Sequence, residues 1–109
     1  MEQLTVSQAI ERAAQGAVLL DVREAAEWDV GHADGALHIP MSTIATRLDE
    51  LPADTEFVCV CRSGGRSTQV AKALETRGLV AHNLDGGMQA WEADGHDVVT
   101  DDGAAGWVG

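Results

Sequence analysis

The chain has few of the residues that mark a disulfide scaffold, a membrane protein or a nucleic-acid binder. It holds two cysteines, one phenylalanine, no tyrosine, and seven basic side chains against 18 acidic ones. One residue separates Cys59 from Cys61. In an extended strand their Cα atoms stand about 6.5–7 Å apart, at the limit of disulfide geometry. A structural bridge is therefore not expected. A zinc centre is not expected either, because there is no second cysteine pair and His32, His38, His82 and His96 follow no ligand spacing. No metal and no cofactor enter the reading. No apolar run approaches the roughly 20 residues that cross a bilayer. The opening "MEQLTVSQAI" lacks the basic start of a secretory signal, so a cytoplasmic location is expected. A net charge of −11 repels nucleic acid and anionic lipid, and neither is an expected partner.

What remains is a chain of 109 residues, 45% of them hydrophobic, enough for one core without a metal or disulfide. Residues 1–99 read as one domain and 100–109 as a short tail, either frayed or docked through Trp107. "TVSQAIERAAQG" predicts a helix capped by Thr5 or Ser7 and stopped by Gly16. "AVLLDV" and "TEFVCVC" are apolar runs without alternation, the pattern of strands covered on both faces. "EAAEWDVGH" predicts one or two helical turns with Trp28 as their core anchor, and "ADGALHIP" a turn followed by a short strand. "MSTIATRLDELP" carries Ile44, Leu48 and Leu51 at helical spacing and reads as a helix capped by Ser42 or Thr43. "STQVAKALETRG" is the clearest helix, "LVAHNL" a strand, "GGMQAWEADG" a short helix, and "HDVV" a final short strand. Strands buried on both faces and alternating with helices give an α/β fold with a mostly parallel sheet.

The chemistry gathers at "CRSGGRS", residues 61–67. In open parallel sheets, ligands bind beyond the C-terminal ends of the strands. Cys61 sits at such an end, before a loop in which Gly64 and Gly65 let the backbone aim successive N–H groups at one centre. Ser67 or Thr68 then begins a helix whose positive end adds to the field, as do Arg62 and Arg66. All of these favour thiolate over thiol and suit an oxyanion, or a charged sulfur adduct on the cysteine itself. Cys59, buried mid-strand, reads as a small core residue.

"CRSGGRS" resembles the active-site loop of the rhodanese family of sulfurtransferases. "LLDVREAAEWDVGHADGALHIP", residues 19–40, and "LDGGMQAWEADGHDV", residues 84–98, resemble that family's opening and closing signatures, in the family's order. The likeness runs over nearly the whole chain to about Val99. It implies a rhodanese-like three-layer α/β/α fold around a five-stranded, mostly parallel sheet. It also implies transfer of sulfane sulfur from a donor such as thiosulfate to cyanide or a thiol through a persulfide. On this chain the resemblance makes Cys61 the nucleophile, with Arg62, Ser63, Gly64, Gly65, Arg66 and Ser67 cradling the outer sulfur or holding the donor's oxygens. Arg66 has a structural alternative. Asp21 and Arg23 either pair to position the loop or finish their strand. Glu27 either braces a loop arginine or lies solvated. His32 reads as a backbone hydrogen-bonding residue, and Gly86 and Gly87 as positions of close backbone approach.

Two other functions compete with free-standing catalysis. One is a persulfide relay or sensor acting mainly through a protein donor or acceptor, which the acidic surface would serve. The other is a cysteine phosphatase or arsenate reductase. Four residues lie between Cys61 and Arg66, one fewer than in the phosphatase loop, and the smaller ring fits sulfur better than a tetrahedral phosphate.

Overall fold

The computed structural model describes all 109 residues. Its centre is a five-stranded sheet made of β1 (Gln3–Leu4), β2 (Val18–Asp21), β3 (Leu37–His38), β4 (Glu56–Val60) and β5 (Val80–Leu84). The spatial order is β1-β5-β4-β2-β3, and every pairing is parallel. Three helices lie between strands, α1 (Val6–Ala14), α2 (Ala25–Val30) and α3 (Gly65–Thr76), and α4 (Gly87–Ala93) follows β5. None is long and apolar enough to cross a membrane.

Side-chain alternation along the central strands divides the core in two. Val58 and Val60 point to one face, where they meet Val6 and Ala9 of α1 and Met88 and Trp91 of α4. Phe57, Cys59 and Cys61 point to the other, where Val70, Ala71 and Leu74 of α3 cover them. Covering both faces removes the need for polar residues, which is why β4 reads as an unbroken apolar run. The architecture is the α/β/α sandwich with five parallel strands that the sequence predicts.

Several local expectations are corrected. Residues 41–52 form two short 3₁₀ turns, Ile44–Thr46 and Leu48–Glu50, and not an α-helix. The hydroxyls of Thr43 and Thr46 donate to the carbonyls of Pro40 and Thr43, and such local bonds compete with helical ones. Ile44 and Leu48 still pack against the α3 side of the core. The "HDVV" segment makes two isolated antiparallel bridges, both through Val99, to His32 and Ala105, and no strand. Trp28 is half-buried, stacked between His32 and His38 with centroid distances of 3.5 and 4.5 Å. Trp91 is the tryptophan in the core. The tail docks through its backbone. Gly106 N–H donates to Val98 at 2.8 Å and Trp107 N–H to Val30 at 3.2 Å, while the Trp107 side chain stays 61% exposed. Strand β1, two residues long, is too short for any periodicity to reveal.

At the end of β2, Asp21 and Arg23 are each 1% exposed and form a buried ion pair. Arg23 Nη2 donates to Asp21 Oδ2 at 2.8 Å and to the Gly31 carbonyl at 2.8 Å, tying the strand end to the end of α2. Removing one member of such a pair leaves the other charged and buried. Asp21→Ala should lower unfolding free energy by about 3–5 kcal/mol, read from urea denaturation. Asp21→Asn, which keeps the volume and one acceptor, should lose less.

Candidate functional site

Strand β4 ends at Val60, and Cys61 follows at the C-terminal edge of the sheet. The chain then turns through Arg62 and Ser63 to Gly64, whose φ of +109° is a left-handed conformation that a side chain would strain. That conformation makes Gly64 the N-cap of α3, so the helix begins at Gly65 and not at Ser67 or Thr68 as expected. Ser67 lies one turn in and is fully buried.

The loop closes around the cysteine sulfur. Gly64 N–H donates to Cys61 Sγ at 3.0 Å, and Ser67 Oγ lies 3.2 Å from it. Burial pushes the Cys61 thiol up. The Ser67 hydroxyl and the backbone N–H groups of Ser67, Gly64 and Ser63 outweigh it, and the thiol falls below its ordinary value. Cys59, two residues earlier, has no such donors; burial and the neighbouring Cys61 push it up to about 12. The two cysteines are both free, and their environments separate them.

The loop is held from two further sides. Met88 N–H and Gln89 N–H, in the first turn of α4, donate to the carbonyls of Cys61 at 2.8 Å and Arg62 at 3.0 Å. These are donors a helix start leaves unpaired, and here they fasten the loop. A Cβ on Gly87 would collide with the Cys61 carbonyl, so glycine is required for this approach. On the α2 side, Arg66 makes a two-pronged ion pair with Glu27, Nη1 to Oε1 at 2.7 Å and Nη2 to Oε2 at 2.8 Å. The bond to Arg66 lowers the Glu27 carboxyl, and the bond to Glu27 raises Arg66. Glu27 therefore braces the loop through Arg66, and the Asp21–Arg23 pair lies behind it. Arg23 also reaches the Glu27 carbonyl, at 3.5 Å. Arg62 is exposed and donates from Nε to the Gly109 carbonyl at 2.5 Å, so the tail reaches the loop. His32 Nδ1 bonds the Trp28 carbonyl at 3.0 Å, a backbone role.

Of the residues named from the sequence, Ser63, Gly64 and Ser67 face the Cys61 sulfur, and Arg62, Arg66, Glu27, Asp21 and Arg23 are set back from it. The profile of the rhodanese-like domain matches residues 5–94. The chain belongs to the rhodanese-like domain family. A sulfurtransferase of Allochromatium vinosum is 39% identical over 87 residues, 79% of this chain and 81% of that one. The Bacillus subtilis protein YtwF is 43% identical over 76 residues, 70% of this chain and 74% of its own. Among solved structures, a rhodanese-related protein from Thermoplasma volcanium superposes with a TM-score of 0.85 at 27% identity, over 91% of this chain and 98% of that one.

In this rhodanese-like chain the site is defined by the loop and not by an apolar cleft. The apolar cleft of about 400 Å³ between the 3₁₀ turns and α3 is lined by Met41, Ile44, Leu48, Val70 and Leu74 among others, with no residue of the loop. Sequence reasoning passed over Asn83, whose Oδ1 lies 2.5 Å from Ser67 Oγ. Its signal was an amide inside the otherwise apolar run "LVAHNL", because a buried polar side chain implies a partner.

The two sulfurs should separate in a labelling experiment. A small alkylating agent at neutral pH should modify Cys61 and leave Cys59 intact, as read by peptide mass spectrometry. The Cys61 rate should rise with pH and level off below the ordinary thiol value of about 8.5. In denaturant both cysteines should react alike. Preferential labelling of Cys59 in the folded protein would contradict the geometry.

Proposed function

We propose that the chain is a sulfurtransferase whose reacting group is Cys61 and whose donor is an anionic sulfane-sulfur compound such as thiosulfate. The observation that carries this is the small ring of donors around Cys61 Sγ, built from Gly64 N–H and the Ser67 hydroxyl within one turn of a helix start. The Cys61 thiolate attacks the outer sulfur of thiosulfate. The donor's S–S bond breaks, sulfite leaves with the electron pair, and Cys61 carries a persulfide. A thiophile then attacks the terminal sulfur, the new S–S bond breaks, and the thiolate is restored. With cyanide the product is thiocyanate; with a thiol, free or on a partner protein, it is a new persulfide.

In this reading Ser63, Gly64 and Ser67 hold the sulfur charge, and Arg62, exposed at the rim, meets the donor's oxygens. Arg66 acts mainly through Glu27, as a brace with its positive charge turned toward the loop. Gly65 starts α3 and leaves the mouth of the loop uncovered, for it is exposed. Turning a single displacement into two easier ones is the advantage of a covalent sulfur carrier. The ring is too short to surround a tetrahedral phosphate, which favours sulfur transfer over phosphoester hydrolysis.

Incubation with thiosulfate should add the mass of one sulfur atom to the Cys61 peptide and none to the Cys59 peptide. Later addition of cyanide should remove it and release thiocyanate. Cys61→Ser should reduce thiocyanate production to the uncatalysed background, whereas Cys59→Ser should retain turnover. Sulfur on Cys59, or turnover surviving in Cys61→Ser, would sink the assignment.

A further inference from the structure

Ser67 has one hydroxyl proton and three acceptors around it: Asn83 Oδ1 at 2.5 Å, Cys61 Sγ at 3.2 Å and the Gly64 carbonyl at 3.4 Å. Which one takes the proton decides whether Ser67 supports the thiolate or opposes it. The bonds behind Asn83 settle the direction. Asn83 is 1% exposed, and its Nδ2 lies 2.7 Å from Gln3 Oε1. Gln3 Nε2 lies 3.2 Å from Thr68 Oγ1, and Thr68 Oγ1 lies 2.8 Å from the Gly64 carbonyl.

A carbonyl oxygen only accepts, so Thr68 gives its one proton to Gly64. Thr68 must then accept from the Gln3 amide, which turns Gln3 Oε1 toward Asn83. Asn83 donates its NH₂ there and presents Oδ1 to Ser67. Ser67 gives its proton to Asn83 and turns its lone pairs to Cys61 Sγ. Each orientation follows from the last. The arrangement suits a thiol that donates its S–H to Ser67. A thiolate needs the Ser67 proton on sulfur, and this strands Asn83 Oδ1 without a donor unless both amides turn over and Thr68 gives its proton to Gln3 Oε1.

We propose that Asn83, Gln3 and Thr68 form a positioning circuit that keeps the Ser67 proton away from Cys61 Sγ in the thiol state, so that ionisation of Cys61 requires the circuit to reverse. The circuit rests on the reading of Cys61 as the reacting sulfur. It joins the loop to β1, whose Gln3 pairs in register with Asn83 of β5. The charged and titratable groups around the sulfur lie elsewhere: Arg62 and Arg66 on the loop and α3, Glu27 on α2, the Asp21–Arg23 pair at the end of β2, Cys59 on β4 and Asp85 after β5. Gln3 hydrogen-bonds to none of their side chains, so its substitution leaves them in place.

Gln3 is exposed on an edge strand, and its variants test the circuit without opening the core. Gln3→Ala removes the acceptor that fixes Asn83. The amide can then turn its NH₂ to Ser67, which frees the Ser67 proton for sulfur. The Cys61 pKa, read from ultraviolet thiolate absorbance, should fall by about half to one pH unit, the worth of one hydrogen bond. Gln3→Glu keeps an accepting oxygen toward Asn83 and adds a negative charge, so it should leave the pKa unchanged or raise it. A Gln3→Ala protein whose pKa stays or rises would overturn the proposal, as would a Gln3→Glu protein whose pKa falls with it. The readout is ionisation and not turnover, so a protein inactive toward thiosulfate still answers the question.

Discussion

Negative charge on a buried sulfur is the constraint around which this structure is arranged. Cys61 is 1% exposed, and burial by itself pushes its thiol up, as it does for Cys59 two residues away. Only directed donors reverse the effect, and the fold supplies them from backbone that β4 and α3 already position. Gly64 turns the chain so that its own N–H meets the sulfur, and Ser67 arrives from the first turn of α3. The backbone donor of Gly64 is aimed before any reaction begins, whereas the Ser67 proton must turn from Asn83 to the sulfur.

A loop that aims N–H groups must itself be held still, and its own carbonyls need partners. The start of α4 serves both needs by donating to the Cys61 and Arg62 carbonyls, at an approach only a glycine at position 87 allows. On the opposite side Glu27 grips Arg66, and the buried Asp21–Arg23 pair anchors the end of α2 through Gly31. The supports come from the ends of β2 and β5, which flank β4 and its loop in the sheet, and all meet at the C-terminal edge. This is the ordinary place for a site in a parallel α/β fold, where strand ends and helix starts converge.

Much of this was legible because the constraints that place it are local. An unbroken apolar run marks β4, glycines mark the turn after it, and the spacing from Cys61 to Arg66 marks the size of the ring. What failed depended on long-range pairing or on competition between similar local choices. Strand β1 exists only because Glu2 and Leu4 carbonyls accept from Asn83 in β5 and Asp85 just after it, about 80 residues away. The spacing of Ile44, Leu48 and Leu51 matched a helix, yet threonine hydroxyls at 43 and 46 took the carbonyls in shorter turns. Trp28 looked like a core anchor by size; two histidines brought beside it by α2 and β3 hold it at the surface.

The arginines show why stronger charge would not serve better. Arg66 is neutralised by Glu27 at 2.7 Å, and Arg62 reaches the tail's backbone, so the sulfur hydrogen-bonds to dipoles and a hydroxyl and not to a guanidinium. In the proposed cycle the same sulfur attacks the donor and later departs as the leaving group. Attack weakens as a thiolate is stabilised, because nucleophilicity falls with pKa, whereas departure quickens. A full ion pair would favour the second step at the cost of the first. Donors that overcome burial without an ion pair place the thiol between these demands. A hydroxyl whose proton is contested between sulfur and Asn83 permits the balance to shift as the sulfur's charge changes.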